Sequence, residues 1–428
     1  MSKTFHELVH AAGGTRAEAA LAARGFGEGD VLAIQMPNGP AWIEAALAAM
    51  RLGGAVTGVS LAATPGEVRG QLVDSGAALL MTADGLIAGP APRPAPGVAL
   101  LPYSSGTSGL PKGVMLTHGN LVAAVGQVLE GIRLTPDDAV LALAPFSHVM
   151  GFVITLGSAL AAGARLVPVP RFEPRGFLEL LDRERVTVAI VPPPLMPLLA
   201  RSPLDLPAVE LIVCGGAPLG PAPQRAVAER FPHAVVGQGY GLTETTAVGA
   251  IPDRALGTPP GSCGRVMPGT ELRVAGREIL IRGAVTMAGY LNAPEATAEI
   301  LDGDGWLHTG DLGRVDADGN VFVVDRLKEL IKVNALQVAP AELEALLGTH
   351  PAVAECAVVP RPDDRCGEVP VAVVVPRADV EADELMAFVA ARVAPHKRLH
   401  GVRFADAIPR TPAGKILRRL LRDQPSYV

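Results

Sequence analysis

Between residues 16 and 238, short apolar runs alternate with helical segments, and few architectures accept that alternation. Residues 30–35 (DVLAIQ), 138–143, 186–191 (VTVAIV) and 209–213 (VELIV) read as strands. Segments 16–24, 40–52, 119–130, 173–183 and 222–231 carry small or apolar residues at helical spacing. A strand that is apolar on both faces needs cover on both, and intervening helices provide it. The region therefore reads as α/β layers around largely parallel sheets. Residues 98–102 (VALLP) and 113–117 (GVMLT) read as two further strands on either side of a loop.

The pattern changes after residue 260. ELRVAGREILIRG and GRVDADGNVFVVDR are short strands and turns, with DADGN as a hairpin signal, so 262–325 is expected to be a β-rich, distorted-barrel subdomain. From 326 a small α+β unit follows: a helix at 340–347, strands at 353–359 and 369–375, and a helix at 381–393. The Pro/Ala-rich stretch 87–97 reads as a linker or surface loop. A chain of 428 residues, 49% of them hydrophobic, can carry two or three domains of this kind.

Several classes of partner are disfavoured. The net charge is −6, and the one basic cluster, 415–422 (KILRRLLR), is short, so nucleic acid is not expected as a partner. The apolar stretches are broken by Gly, Arg and Pro, and no membrane span is expected. The N-terminus has no apolar leader, and the four cysteines have neither disulfide-type nor zinc-type spacing; a cytoplasmic protein is expected.

The stretch 103–118, YSSGTSGLPKGVMLTH, carries chemistry rather than core. Glycine lets backbone N–H groups converge on an anion, hydroxyls add donors, and Lys112 adds charge. The spacing is not that of the P-loop, which needs Gly-Lys-Ser/Thr opening a helix, whereas here Lys112 precedes a strand.

Further motifs follow in order: QGYGLTE at 238–244, TGD at 309–311, DRLKELIK at 325–332, QVAPAELE at 337–344 and PRTPAGK at 409–415. Together with the 103–118 loop, this ordered set resembles the adenylate-forming superfamily, in the acyl- and aryl-CoA ligase branch that includes 4-coumarate-CoA ligases and firefly luciferase. The resemblance runs over nearly the whole chain. It implies a large N-terminal AMP-binding domain, 1–325, and a mobile C-terminal domain, 326–428, joined by a hinge at 325–328. It also implies that Mg-ATP activates a carboxylic acid to an acyl-AMP with release of pyrophosphate, and that the small domain then turns so that the thiol of CoA attacks.

Carried onto this sequence, the resemblance implies that Ser104, Ser105, Gly106, Thr107, Ser108, Gly109 and Lys112 hold the phosphates. Thr107 and Glu244 would hold Mg2+, and Thr243 would donate to the α-phosphate. Tyr240 would stack on adenine, Asp311 would accept both ribose hydroxyls, and Arg326 would be a second nucleotide contact. Gly216, Gly239 and Gly241 would border the nucleotide. Lys415 would bridge carboxylate and α-phosphate in the first half-reaction, and Lys332 would enter in the second. His148 would lie beside the acyl carboxylate; Val149, Met150, Ile154, Gly215 and Gly239 would line the acyl pocket. These residues suit a hydrophobic acid, aromatic or of medium chain length.

The sequence also departs from the pattern. The segment before the phosphate loop is short, and a trimmed lobe could expose apolar surface for a homodimer to cover. Relatives have glycine where Ala335 stands, on the expected path of the pantetheine arm. This leaves other acceptors open: a carrier-protein pantetheine, or an amine, including a nitrite-activating enzyme resembling diazotases. A nucleotide-binding protein without catalysis is disfavoured by the intact set Thr107, Lys112, Glu244, Asp311 and Lys415.

Overall fold

The computed structural model describes residues 4–9, 15–104, 111–170, 172–334, 336–363, 365–410 and 415–422. Among these residues the strands form five sheets. The expected α/β alternation gives two of them. Ala55–Gly58, Val31–Gln35 and Leu79–Thr82 pair in parallel, and Gly85–Ala88 adds an antiparallel edge. The second sheet runs Val235–Gln238, Leu211–Cys214, Val188–Val191, Ala139–Ala142, Arg165–Pro168, every pair parallel. Its three central strands are buried at every position, which is why they read as continuous apolar runs. The helices Pro40–Arg51, His118–Ile132, Pro174–Arg183 and Pro221–Arg230 cover these sheets. Three of them open with proline, whose fixed φ suits the first turn.

Residues 98–102 depart from the expected strand. Only Leu100 forms bridges there, to Val56 and Leu116. The amides of Ala99 and Leu100 both donate to the Leu116 carbonyl (2.8 and 3.1 Å), and Pro102 has no amide to give, so the ladder is interrupted. Regular pairing resumes at Tyr103–Ser104, against Lys112–Met115, with Gly289–Tyr290 on the far side.

The β-rich segment is a four-stranded antiparallel sheet, Thr270–Ala275, Glu278–Gly283, Leu307–Val315 and Val321–Arg326. Isolated bridges from Asn320 to Arg265, Arg265 to Ile251 and Ala250 to Tyr240 carry this sheet towards the QGYGLTE turn. From Ile331 onward the strands pair only with one another among the described residues: Leu336–Val338, Ile331–Val333, Gly367–Pro376 and Val353–Asp363, with Val402–Phe404 alongside. They enclose a core of their own, around Ile331, Leu343, Val374 and Leu385. No helix among the described residues is long and apolar enough to cross a membrane.

Several elements have no counterpart in the sequence reading, among them the strands Ala55–Gly58, Leu79–Thr82 and Arg165–Pro168 and the helix Pro65–Ser75. Residues Met150–Gly157 form a π-helical turn, buried throughout, directly after the loop that carries His148. A Cβ on Gly151 would stand 2.1 Å from the Pro145 carbonyl oxygen, so only glycine allows this close approach.

Candidate active site

The second sheet delivers its strands to one cavity of about 290 Å3. Loops leaving the C-terminal ends of Leu211–Cys214 and Val235–Gln238 bring Gly215, Gly216, Gly239, Tyr240, Gly241, Thr243 and Glu244 to its wall. This is where open parallel sheets place ligands. Gly216 has φ +84°, a left-handed conformation that glycine adopts without strain. The turn after Glu244 is held by force: Thr246 and Ala247 both have positive φ (53° and 69°). The Thr246 hydroxyl donates to the Val285 carbonyl (2.6 Å), and the Ala247 amide donates to the Leu242 carbonyl (2.8 Å). Non-glycine strain of this kind persists only where surrounding bonds over-determine it.

The polar lining of the cavity is a linked set. The Tyr290 hydroxyl donates to Glu244 Oε1 (2.7 Å), and Lys112 Nζ stands 5.4 Å above the Tyr290 ring. The Tyr240 hydroxyl donates to Asp311 Oδ2 (2.7 Å), and Arg326 Nε pairs with Asp311 Oδ1 (2.9 Å). Asp311 is buried behind the wall rather than in it, and burial pushes its pKa up against the pull of Arg326. Both carboxylate oxygens therefore already hold a protein donor, and Tyr240 is fixed through its hydroxyl as well as available through its ring face.

Lys415 reaches the same cavity from the C-terminal part of the chain, as does Lys328. Burial pushes the Lys415 pKa down, and the charge of Arg326 adds to that effect; Glu329 and Asp311 oppose it. Three residues on, Arg418 is buried between two carboxylates. It pairs with Glu329 Oε2 (2.9 Å) and makes a two-pronged contact with Glu344. Asp325 accepts from the Ala341 amide (3.0 Å) at the start of the helix Pro340–Leu347, and burial raises its pKa to about 6.

The cavity also has a hydrocarbon lining. Val149, Met150 and Ile154 line it, as expected, but so do Ile132, Ile190, Val213 and Ile251. His148 lines the cavity too. Its Nδ1 accepts from the Met150 amide (3.2 Å), and burial pushes its pKa down, so the ring is neutral with its proton on Nε2. A second cavity, of about 440 Å3, lies beyond it. The two share His148 and Met150 in their walls. The second is lined by Met36, Val59, Leu61, Leu195 and Phe172, with Arg410 among its polar groups. Asn38 fixes the intervening loop: its amide donates to the carbonyls of Ala142 (3.1 Å) and Ala144 (2.8 Å) and its oxygen accepts from the Phe146 amide (2.8 Å).

Of the residues singled out in the sequence, Ser104, Lys112, His148, Val149, Met150, Ile154, Gly215, Gly216, Gly239, Tyr240, Gly241, Thr243, Glu244, Arg326 and Lys415 share the first cavity. Asp311 stands directly behind it. Lys332 does not belong to it: it is exposed on the strand Ile331–Val333, where its amide donates to Glu368 (2.8 Å). Ser105, Gly106, Thr107, Ser108, Gly109 and Ala335 lie outside the described residues. The sequence reading missed Tyr290, the Ile132/Ile190/Val213/Ile251 wall and the second cavity. For the last of these, the residues within sequence motifs were His148, Met150 and, inside PRTPAGK, Arg410.

The chain is similar to known proteins over nearly its whole length. Residues 2–95 and 87–291 match the family model described as AMP-binding enzyme, and 342–415 match the AMP-binding enzyme C-terminal domain. The 4-coumarate--CoA ligase 5 of Oryza sativa subsp. japonica is 41% identical, with 95% of this chain and 87% of that protein covered. The 4-coumarate--CoA ligase of Pinus taeda is 44% identical over 76% of this chain and 65% of that one. Among solved structures, ATP-bound MatB from Rhodopseudomonas palustris superposes with a TM-score of 0.87 at 27% identity, covering 98% and 92% of the two chains. The o-succinylbenzoate CoA synthetase of Bacillus subtilis, with its acyl-adenylate intermediate, gives 0.85 at 27%, covering 99% and 93%. With its cavity at the strand ends and matches running from residue 2 to residue 415, the chain belongs to the family of AMP-binding enzymes.

Proposed function

We propose that this chain uses ATP to convert a hydrophobic carboxylic acid to its acyl-adenylate and then passes the acyl group to the thiol of CoA. The observation that carries the reading is the mixed lining of one cavity. Lys112, Arg326, Lys328, Lys415, Thr243 and Glu244 line it together with Ile132, Ile154, Ile190, Val213 and Ile251, which belong to one packed apolar cluster, and with neutral His148.

The chemistry demands that mixture. An acid carboxylate attacks the α-phosphorus of ATP, the bond to the β-phosphate oxygen breaks, and pyrophosphate leaves. Anion meets anion, so the protein must supply cations and donors where charge builds up. Lys415 is the group we assign to the meeting point of carboxylate and α-phosphate, with Thr243 donating to the phosphate. Lys112 and the loop 104–112 are assigned to the leaving pyrophosphate. His148 orients the carboxylate through Nε2–H without taking its charge.

Glu244 suits a magnesium ion: it is a hard oxygen donor in the cavity wall, oriented by Tyr290 and near Lys112. Among the described residues no cluster of three or more His, Cys, Asp or Glu could hold a metal by itself. That fits an ion held by one carboxylate and substrate phosphates, which would neutralise phosphate charge.

In the second half-reaction the CoA thiolate attacks the acyl carbonyl, a thioester forms and AMP leaves. The second cavity is the route we assign to the thiol, since it meets the acyl site at His148 and Met150. Lys332 lies away from the cavity, so its entry would require residues 326–428 to turn about 325–328. The four cysteines are all free, in keeping with a reducing, cytoplasmic setting. Exposed Val73 and Ile87 in the N-terminal part of the chain would be covered in a homodimer, which sedimentation equilibrium would detect.

The test is pyrophosphate release with Mg-ATP across arylpropenoic, benzoic and medium-chain acids, with and without CoA. Acid-dependent release that yields a CoA thioester is the expected result. Release without thioester would redirect the reading to another acceptor, and no acid-dependent release would overturn it.

A further inference from the structure

We infer that the acid taken by this site ends in hydrocarbon, and that the site rejects an otherwise identical acid bearing a hydroxyl at the end remote from its carboxylate. The inference rests on the activity proposed above and goes further by naming what the far end of the acid must be.

Several polar groups of the cavity are already bound: Tyr240 to Asp311, Arg326 to Asp311, Tyr290 to Glu244, and His308 to Glu278. The cavity's apolar lining includes Ile132, Ile154, Ile190, Val213 and Ile251, with Met150, which pack in one hydrophobic cluster and are each at most 9% exposed. None of these five Ile and Val side chains carries a donor or acceptor. Part of the backbone behind them is committed as well. Ile251 exchanges both hydrogen bonds with Arg265 (3.0 Å each), and Val213 and Ile190 sit in the interior of the parallel sheet. Just past those strands, the amides of Gly215 and Gly239 donate to the carbonyls of Val191 (3.1 Å) and Cys214 (2.9 Å). His148 Nδ1 is occupied by the Met150 amide.

A phenolic hydroxyl placed against this wall would lose its water and gain no partner. A methyl group of nearly the same size would lose nothing and would fill the same space. The carboxylate end is served identically in both cases, so the difference falls on kcat/KM for the acid. An apolar pocket discriminates against an added hydroxyl by up to about 10²-fold, so a ratio of about 10- to 100-fold is expected here. Two of the similar proteins carry 4-coumarate, a hydroxylated acid, in their names. This chain is therefore expected to differ from them in specificity while sharing their chemistry.

The experiment compares kcat/KM for acid-dependent pyrophosphate release with cinnamate, 4-methylcinnamate and 4-coumarate. The expected order has both hydrocarbon acids ahead of 4-coumarate by at least about 10-fold, the lower end of the range for such a pocket. Val213→Thr, which adds one hydroxyl at nearly constant volume, and Ile251→Thr should each narrow that gap. If 4-coumarate matches or exceeds cinnamate, the inference is wrong while the adenylation reading stands. If 4-methylcinnamate is as poor as 4-coumarate, the wall selects by size, and the polarity argument fails. If no acid supports release, the activity reading falls and this inference falls with it.

Discussion

Replacing Arg418 by Met tests whether the loop carrying Lys415 is held by a buried charge cluster. Arg418 is 10% exposed and faces Glu329 and Glu344, at 19% and 16%. It also donates to the Val358 carbonyl (3.2 Å). Removing one partner of a buried pair costs about 3–5 kcal/mol, because the remaining charge stays desolvated. Here the two carboxylates retain some contact with water, so the lower end, about 3 kcal/mol, applies. With a urea dependence of about 2 kcal/mol per molar, the unfolding midpoint of the C-terminal part should fall by about 1.5 M. Burial raises the Glu329 pKa, but Arg418 outweighs it and holds the carboxyl below its ordinary value. The ion pair therefore adds stability above that ordinary value, and the contribution is lost as pH falls through the depressed one. The gap between wild type and variant should accordingly shrink on acidification. Because Lys415 lies three residues upstream, pyrophosphate formation should drop by about 10²-fold, the usual cost of misplacing a group by about 1 Å. Thioester formation from supplied acyl-AMP should change far less. Arg418→Lys should restore part of both effects. An unchanged urea midpoint, or equal losses in the two half-reactions, would refute the reasoning.

Lys415→Ala should abolish pyrophosphate formation and leave thioester formation from acyl-AMP largely intact, whereas Lys332→Ala should do the reverse; matched half-reaction assays decide both. Arg254→Ala probes the link between the sheet and the 253–257 turn. Burial pushes the Asp138 pKa up, but donors from Arg254, Thr187 and the Thr135 amide hold it at about 2. That contribution to stability is complete above the ordinary aspartate range and is lost as pH falls towards 2. The variant should therefore unfold more readily at pH 7, by about 3 kcal/mol, with a smaller deficit at pH 3 by urea titration.

The parts of the molecule that could be read from sequence are those whose signal is local. The strands expected at 30–35, 138–143, 186–191 and 209–213 are short apolar runs between helices and are found within two residues of those bounds, whereas Ala55–Gly58, Leu79–Thr82 and Arg165–Pro168 were not expected. Residues 98–102 failed because two amides share one acceptor and Pro102 has none, features that hydropathy does not carry. The π-helical turn Met150–Gly157 was invisible because a run that is apolar all round has no periodicity to read. Within the site, motif residues were legible because they lie in Gly-punctuated loops. Tyr290 was not: it meets Glu244 across 46 positions of chain, and nothing near it marks a partner. The Ile132 and Ile251 wall was missed for the same reason. Each looks like ordinary core, and only the fold brings them to one cavity.

The charge on each group around His148 explains why the cavity is lined as it is. A carboxylate must reach an α-phosphate that is itself anionic, so positive charge is needed on the phosphate side, where Lys112, Arg326 and Lys415 stand. A cationic histidine beside the acid would pair with the attacking oxygen and weaken it as a nucleophile. Burial prevents this by keeping His148 neutral, and the Met150 amide fixes which nitrogen carries the proton. In the proposed reaction the hydrocarbon lining would act twice: it would recognise the acid, and it would strip water from the carboxylate, for which Lys415 and the His148 N–H are the proposed partners. Burial and the charge of Arg326 ease Lys415 towards its neutral form while Glu329 and Asp311 oppose this, so an anion bound beside it would further favour its charged form. Such a site gains most from its cations when acid and ATP are both present, and that ties phosphate transfer to occupancy of the apolar pocket.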